Sequence, residues 1–259
     1  MRELKHENIV GLLDVFATQK HVYLVFEYCE VGDLEDVIRD DRTLAVDDVM
    51  SYLQMTLKGI KACHDAWILH RDLKPANLLI HANGSLKIAD FGLARLFASP
   101  DREMSSQVVT LWYRAPELLF GAKQYGTGVD IWSIGLIFTE LIKRVPILPG
   151  RSELDQLSKT FHLLGTPTEQ DWPGLTSLPS YMEFTPKPAV PMEQILPNSS
   201  KETRDLLKQM LQLDPNKRPT ASQALEHAYF TGENAPRPTP PYALPKVTKK
   251  KKLPSEPVD

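Results

Sequence analysis

The chain has 259 residues, with 30 Lys plus Arg against 33 Asp plus Glu and a formal net charge of −3. Its 42% hydrophobic and 24% charged residues are ordinary globular usage, which excludes a wholly disordered chain, and the near-neutral balance excludes a broad nucleic-acid footprint. Two cysteines, Cys29 and Cys63, make no disulfide framework and predict a reducing compartment. No apolar run approaches the ~18 residues of a membrane span, and residues 1–7 hold no signal-peptide core.

Residues 9–16 and 21–26 are rich in β-branched, aromatic and other apolar residues and read as two strands joined by the polar turn Thr18-Gln19-Lys20. Val46, Val49, Met50, Leu53, Leu57 and Ile60 recur at helical spacing on one face, with Asp47 and Asp48 in the first turn, where negative charge suits the helix dipole. Leu78-Leu79-Ile80 and Leu86-Lys87-Ile88-Ala89 flank Asn83-Gly84, a strong hairpin signal. Residues 129–142 are apolar almost all round and predict a helix buried on every side. Residues 154–164, 201–213 and 220–227 read as surface helices, and 165–191 as a proline-rich irregular stretch. From residue 232, Pro236, Pro238, Pro240, Pro241 and Pro245, followed by the lysine run 249–252, predict a flexible basic tail. Two strands followed by mostly helices make an α+β chain, a small β remnant on a large helical domain.

The most specific feature is His70-Arg71-Asp72-Leu73-Lys74-Pro75-Ala76-Asn77. It matches the catalytic loop His-Arg-Asp-Leu-x-x-x-Asn of phosphoryl-transfer enzymes at every fixed position. Asp90-Phe91-Gly92 follows Asn77 by thirteen residues, and Ala115-Pro116-Glu117 closes the segment. Each alone reads equally well as a loop with turn residues and a paired arginine; the three in the required order do not. Phosphoryl transfer asks for positioning and charge neutralisation rather than covalent help. Asp72 would sit beside the substrate hydroxyl, Lys74 would add positive charge near the transferred group, and Asn77 and Asp90 would supply hard oxygens to Mg.

On these motifs the chain resembles the eukaryotic protein kinases from residue 1 to about 230. Val108-Val109-Thr110-Leu111-Trp112-Tyr113-Arg114, and Leu164-Gly165-Thr166-Pro167-Thr168-Glu169 with Trp172-Pro173, are similar to the cyclin-dependent branch. Leu119-Phe120-Gly121-Ala122, Leu154-Asp155-Gln156-Leu157 and Ser177-Leu178-Pro179-Ser180-Tyr181 resemble its CAK-type members, the cyclin-H-dependent kinases associated with TFIIH. The resemblance implies a protein-kinase-like fold: residues 1–28 as a two-strand remnant of the small lobe, 29–231 as the large lobe, and 232–259 as the tail. It implies ATP as the nucleotide. Phe26 would be the gatekeeper behind the adenine; it also reads as plain strand core, and both readings can hold together. Glu27 and Cys29 would offer backbone groups to the adenine edge, and Leu79 its apolar floor. Asp33 would face the ribose, or else cap the following helix. Ser105 would carry the activating phosphate and Ser99, before Pro100, a second one, with Arg71 and Arg95 receiving it; both serines read equally as solvated loop. Glu117 and Arg218 would form a buried ion pair. Asp130, Trp132 and Gly135 would mark the central helix, with Asp130 holding the catalytic-loop backbone.

One departure is large. No Gly-x-Gly-x-x-Gly occurs, and no lysine in a Val-Ala-Ile-Lys-like strand precedes Phe26. Residues 1–6 resemble the last turn of the family's regulatory helix, so the expectation is a kinase with most of its small lobe absent. An incomplete gene model or truncated product is one explanation and a degenerate relative the other. The chain as given is expected to transfer little phosphate and to leave Val10, Leu12, Val22 and Leu24 as apolar surface or unpaired edges. The function implied is an ATP- and Mg-dependent, proline-directed Ser/Thr kinase with a cyclin-H-like partner. Its protein substrates would be other cyclin-dependent kinases or the RNA polymerase II C-terminal repeats. No direct nucleic-acid or membrane contact is expected, and the location is the nucleus, with the cytoplasm second. The alternative is a non-catalytic kinase-like binding module.

Overall fold

The computed structural model describes residues 4–97 and 111–244. β1 (Leu12–Ala17) and β2 (Val22–Phe26) pair antiparallel, Leu12 opposite Phe26 and Ala17 opposite Val22. The turn between them closes by Thr18 N–H donating to the His21 carbonyl at 2.8 Å. No third strand adjoins this ribbon among the described residues. Val22 is therefore 69% and Leu24 55% exposed, as expected, with Phe16 and Tyr23 stacked on each other at 4.8 Å. Val10 departs from the expectation and is buried. Its amide donates to the Ile88 carbonyl and the Ile88 amide to the Asn8 carbonyl, both at 2.9 Å. That backbone pairing carries Val10 into the body before the ribbon begins.

A compact run of short elements follows: β3 (Gly32–Asp33), α1 (Leu34–Arg39), α2 (Val46–Asp65), β4 (Ile68–Leu69), β5 (Leu78–Ile80), β6 (Leu86–Ile88) and β7 (Arg95–Leu96). β3, β5 and β6 form one antiparallel sheet in that order, and β4 pairs with β7. The β5–β6 turn is one residue longer than a two-residue Asn-Gly turn. The Gly84 amide bonds the His81 carbonyl at 2.8 Å and the His81 amide bonds the Ser85 carbonyl at 3.0 Å. Gly84 alone in this turn takes positive φ, at 83°, so a three-residue loop ends in a left-handed glycine. α2 runs beyond Ile60 to Asp65; Val46 is exposed because it lies at the helix start, off the core.

The helical body is α3 (Pro116–Leu119), α4 (Gly128–Lys143), α5 (Glu153–Leu164), α6 (Met192–Ile195), α7 (Lys201–Met210), α8 (Ala221–Leu225) and α9 (Ala228–Thr231). Ser152, Ser200 and Thr220 each cap a helix by accepting an amide from its first turn. α4 is buried at every residue from Val129 to Leu141, and α2 packs on it. Each large apolar side chain buried there contributes about 1.5–3 kcal/mol. Gly135 makes the close approach possible: a Cβ on it would lie 2.9 Å from Leu211 Cδ2. The expected helix 220–227 ends at Leu225, and His227 starts α9 by accepting the Tyr229 amide at 3.0 Å. The tail expected from residue 232 is laid against the body as far as Leu244, whose side chain is 5% exposed in the main core. Residues 245–259, with the lysine run, lie outside the described residues.

Candidate active site

The catalytic loop hangs from α4. Asp130 is buried in the first turn of that helix, and its two carboxylate oxygens accept the amides of His70 at 3.0 Å and Arg71 at 2.9 Å. The backbone role expected of Asp130 is what its geometry performs. His64, at the end of α2, adds a third bond to Asp130 Oδ2 at 2.9 Å; nothing in the sequence signalled that histidine. Burial pushes the Asp130 carboxyl up, but the hydrogen bonds it accepts from His64 and the Arg71 amide outweigh it. The group is held below the usual carboxylate range.

Arg71 sits at φ 67°, a left-handed conformation that costs a non-glycine residue about 1–3 kcal/mol and persists only where the surroundings impose it. Here the two anchored amides impose it. The turn brings Asp72 round to face Asn77 and Lys74. Asn77 Nδ2 donates to the Asp72 carbonyl at 2.8 Å and to Asp72 Oδ2 at 3.1 Å. Lys74 Nζ lies 3.2 Å from the same oxygen. Asp90 is brought alongside because the Ala89 amide donates to the Asn77 carbonyl at 2.9 Å. Asp90 also takes the left-handed region, φ 60°, and accepts the Gly92 amide at 3.3 Å. The edge of Phe91 meets the His70 ring, with centroids 4.9 Å apart. Asp72, Lys74, Asn77 and Asp90, separated in sequence, thus share one place.

Among the described residues no three His, Cys, Asp or Glu side chains gather to hold a metal by themselves. Mg binds through one or two carboxylates plus substrate phosphates rather than an all-protein cage. Since Asn77 Nδ2 is turned to Asp72, its Oδ1 points the other way as a hard donor, and Asp90 supplies the carboxylate. The donor set fits a hard divalent cation.

The nucleotide-facing residues are less uniform. Leu79 alternates with buried Leu78 and Ile80 and so lies on the opposite face of β5, a position suited to an adenine floor. Phe26 is 40% exposed at the end of β2, so the strand-core reading of it is overturned. The Glu27 amide donates to the Gly11 carbonyl at 2.9 Å, so only its carbonyl can serve an adenine edge. Its side chain pairs with Lys87 at 2.8 Å. Burial acts to raise the Glu27 carboxyl, and the Lys87 and Gly11 bonds overcome it. Cys29 is buried, which pushes its thiol up. Asp33 caps α1: its Oδ1 accepts the Asp36 amide at 3.0 Å, and Asp36 returns a bond to the Asp33 amide. The cap reading stands, and it leaves Asp33 on β3 beside Leu79.

Arg71 Nε donates to the Leu93 carbonyl and Nη1 to Tyr125 Oη, both at 2.7 Å. β7 pairs Arg95 opposite Leu69, and the charges of both arginines act on the Tyr125 hydroxyl. The two expected phosphate receivers are thus brought to one place. Tyr125 is the residue that sequence reading missed; it lies 54 positions from Arg71 and carries no motif. Ser99, Ser105 and the 108–110 part of the branch signature lie outside the described residues. Glu117 and Arg218 form the buried pair expected of them, bidentate at 2.6 and 2.8 Å.

The protein kinase domain family matches residues 1–230. The chain belongs to the protein kinase family, in its cyclin-dependent branch. It is 55% identical over 232 residues to cyclin-dependent kinase 7 of Dictyostelium discoideum, covering 89% of this chain and 64% of that one. It is 51% identical over 251 residues to cyclin-dependent kinase D-1 of Arabidopsis thaliana, covering 96% and 62%. Cyclin-dependent kinase 7 of Xenopus laevis is 51% identical over 247 residues, covering 95% and 69%. The chain thus spans about two thirds of the length of these relatives. Among solved structures, a chain of the CAK complex from Chaetomium thermophilum bound to ATP-gamma-S superposes with a TM-score of 0.89 at 45% identity, covering 95% of this chain and 79% of that one.

Proposed function

We propose that this chain is the catalytic lobe of a CAK-type, cyclin-dependent Ser/Thr protein kinase. It would pass the γ-phosphoryl group of ATP to proline-directed sites on other cyclin-dependent kinases or on RNA polymerase II C-terminal repeats. A cyclin-H-like partner completes it. The observation that carries this reading is Asp72 held between Asn77 and Lys74, with Asp90 one residue from the Asn77–Ala89 bond. In the step, the substrate hydroxyl oxygen bonds to the γ-phosphorus, the bond to ADP breaks, and the hydroxyl proton passes to an Asp72 carboxylate oxygen. Lys74 neutralises charge that grows on the transferred group. Asn77 Oδ1 and Asp90 would hold Mg, which when bound neutralises the phosphates. Arg71 and Arg95 would receive an activating phosphate on Ser105 or Ser99. The lysine run 249–252 supports nuclear import.

The test uses the native protein purified with its bound cyclin, assayed for transfer from ATP to a Ser-Pro peptide. Asp72→Asn is expected to lower turnover by about 10²–10⁴-fold while leaving ATP binding in place. Absence of transfer by the cyclin-bound wild type would overturn the proposal. The 259-residue chain by itself is expected to transfer far less, because its sequence contains no glycine-rich loop or strand lysine. Full turnover by that chain would remove this part of the reading.

A further inference from the structure

Residues 232–244 cross the body as a strap with two points of attachment. At the first, the N-terminal end of α2, the Arg237 amide donates to Asp47 Oδ1 at 3.0 Å and the Thr239 hydroxyl to Asp48 Oδ1 at 2.6 Å. Ser51 Oγ returns a bond to the Thr239 carbonyl at 3.0 Å. At the second, Pro241 lies against the β5–β6 turn, where a Cβ on Gly84 would come within 1.6 Å of the Pro241 oxygen. Leu244 then enters the main core.

Among the described residues three threonines precede a proline: Thr166, Thr185 and Thr239. Thr185 is exposed, and the Thr166 hydroxyl donates to a backbone carbonyl. Thr239 is the one whose hydroxyl is held by a carboxylate. We propose that Thr239 is a phosphorylation site, and that phosphate there releases the strap. The donor is a nucleoside triphosphate used by a proline-directed protein kinase. Thr239 Oγ bonds to the γ-phosphorus, the nucleoside diphosphate leaves, and the hydroxyl proton goes to that kinase's base.

The product removes the donor hydrogen that Asp48 accepts and puts a charge of about −1.5 to −2 in its place. Two carboxylates, Asp47 and Asp48, already occupy this helix end. A helix N-terminus by itself attracts anions, but here Asp47 and Asp48 in the first turn of α2 already place two carboxylates there, held by the Arg237 and Ala45 amides. The nearby cation Arg42 is committed to Asp40 by bonds of 2.7 and 3.0 Å. Repulsion therefore prevails over attraction. Thr239 is half-buried, so the kinase acts on the transiently lifted strap, and the phosphate prevents re-docking. Lifting withdraws Pro241 from the turn joining β5, which follows Asn77, to β6, which precedes Asp90. The inference stands whether or not this chain is itself a catalyst.

The experiment treats the full chain with ATP and a proline-directed kinase, maps the phosphate by mass spectrometry and follows amide hydrogen exchange. Phosphate at Thr239 is expected, with the Arg237, Ala243 and Leu244 amides exchanging about tenfold faster or more. Thr239→Ala, treated alike, should carry no phosphate there and show a much smaller change. Asp48→Asn should restore part of the protection in the phosphorylated chain. Absence of phosphate at Thr239 overturns the site. Phosphate with unchanged or slower exchange, as when Arg42 or Arg237 takes it up, overturns the release.

Discussion

His70 accepts the Asp72 amide at Nδ1 and faces the Ala89 carbonyl with Nε2, at 3.2 and 2.9 Å. Only a neutral ring with its proton on Nε2 satisfies both partners. Burial pushes its pKa down, against the pull of Asp130, Ala89, Asp72 and Asp90. A depressed folded value means that the contribution to stability is whole above the unfolded value of 6.5 and is lost as pH falls through the folded one. The thermal unfolding midpoint should therefore drop on acidification below about pH 6.5, and drop less steeply in His70→Asn, which keeps an acceptor near Nδ1 and cannot charge. Equal slopes would show that His70 does not titrate into the unfolding equilibrium. Asp33 carries a second expectation at this scale. Asp33→Ala should cost about 1 kcal/mol in denaturant unfolding, the value of a lost cap. A loss of ATP affinity in that variant beyond the loss of stability would add the ribose role.

At the scale of elements, the β1–β2 ribbon is the part least supported by its own packing. A two-stranded ribbon is marginal in water, and this one is joined to the body chiefly through residues 8–10. Its exposed Val22 and Leu24 offer a template for strand addition. Val22→Lys with Leu24→Lys should reduce self-association of the 259-residue chain in light scattering while leaving its helical circular dichroism unchanged. Undiminished association would place the contact elsewhere. The β5–β6 turn is constrained twice, by the positive φ of Gly84 and by Pro241 above it. Gly84→Ala should lower stability by more than about 1 kcal/mol. The hairpin itself was legible from Asn83-Gly84, but the loop length was not. Asn-Gly at a turn fits both a two-residue and a three-residue loop, and the pairing of His81 with Ser85 decides between them.

At the scale of the whole molecule, Glu117 and Arg218 join positions 101 residues apart. Arg218 also donates to the carbonyls of Gln212, Leu213 and Gly128 and lies 4.8 Å over the Trp132 ring. One side chain thus ties α3, the start of α4 and the turn before α8. Both partners are buried, so removing one leaves an unpaired charge. Glu117→Ala is expected to cost about 3–5 kcal/mol in denaturant unfolding, and Glu117→Gln less. A loss below about 1 kcal/mol would show that the pair does not hold these parts together.

The residues of the catalytic loop, the hairpin beside it and the helices α2 and α4 could be read from the chain directly. Their information is local: motif residues stand at fixed spacing, apolar residues repeat with the helical period, and glycine or proline marks the turns. The tertiary structure alone decided that Val10 is core while Val22 is surface, though the two apolar stretches that hold them read alike. It alone joined Tyr125 to Arg71 and His64 to Asp130, and laid a proline-rich segment that reads as tail onto the head of α2. In each case the deciding partner is distant in sequence. Burial and hydrogen-bond partnership belong to pairs of segments, and a period or a motif describes only one of them.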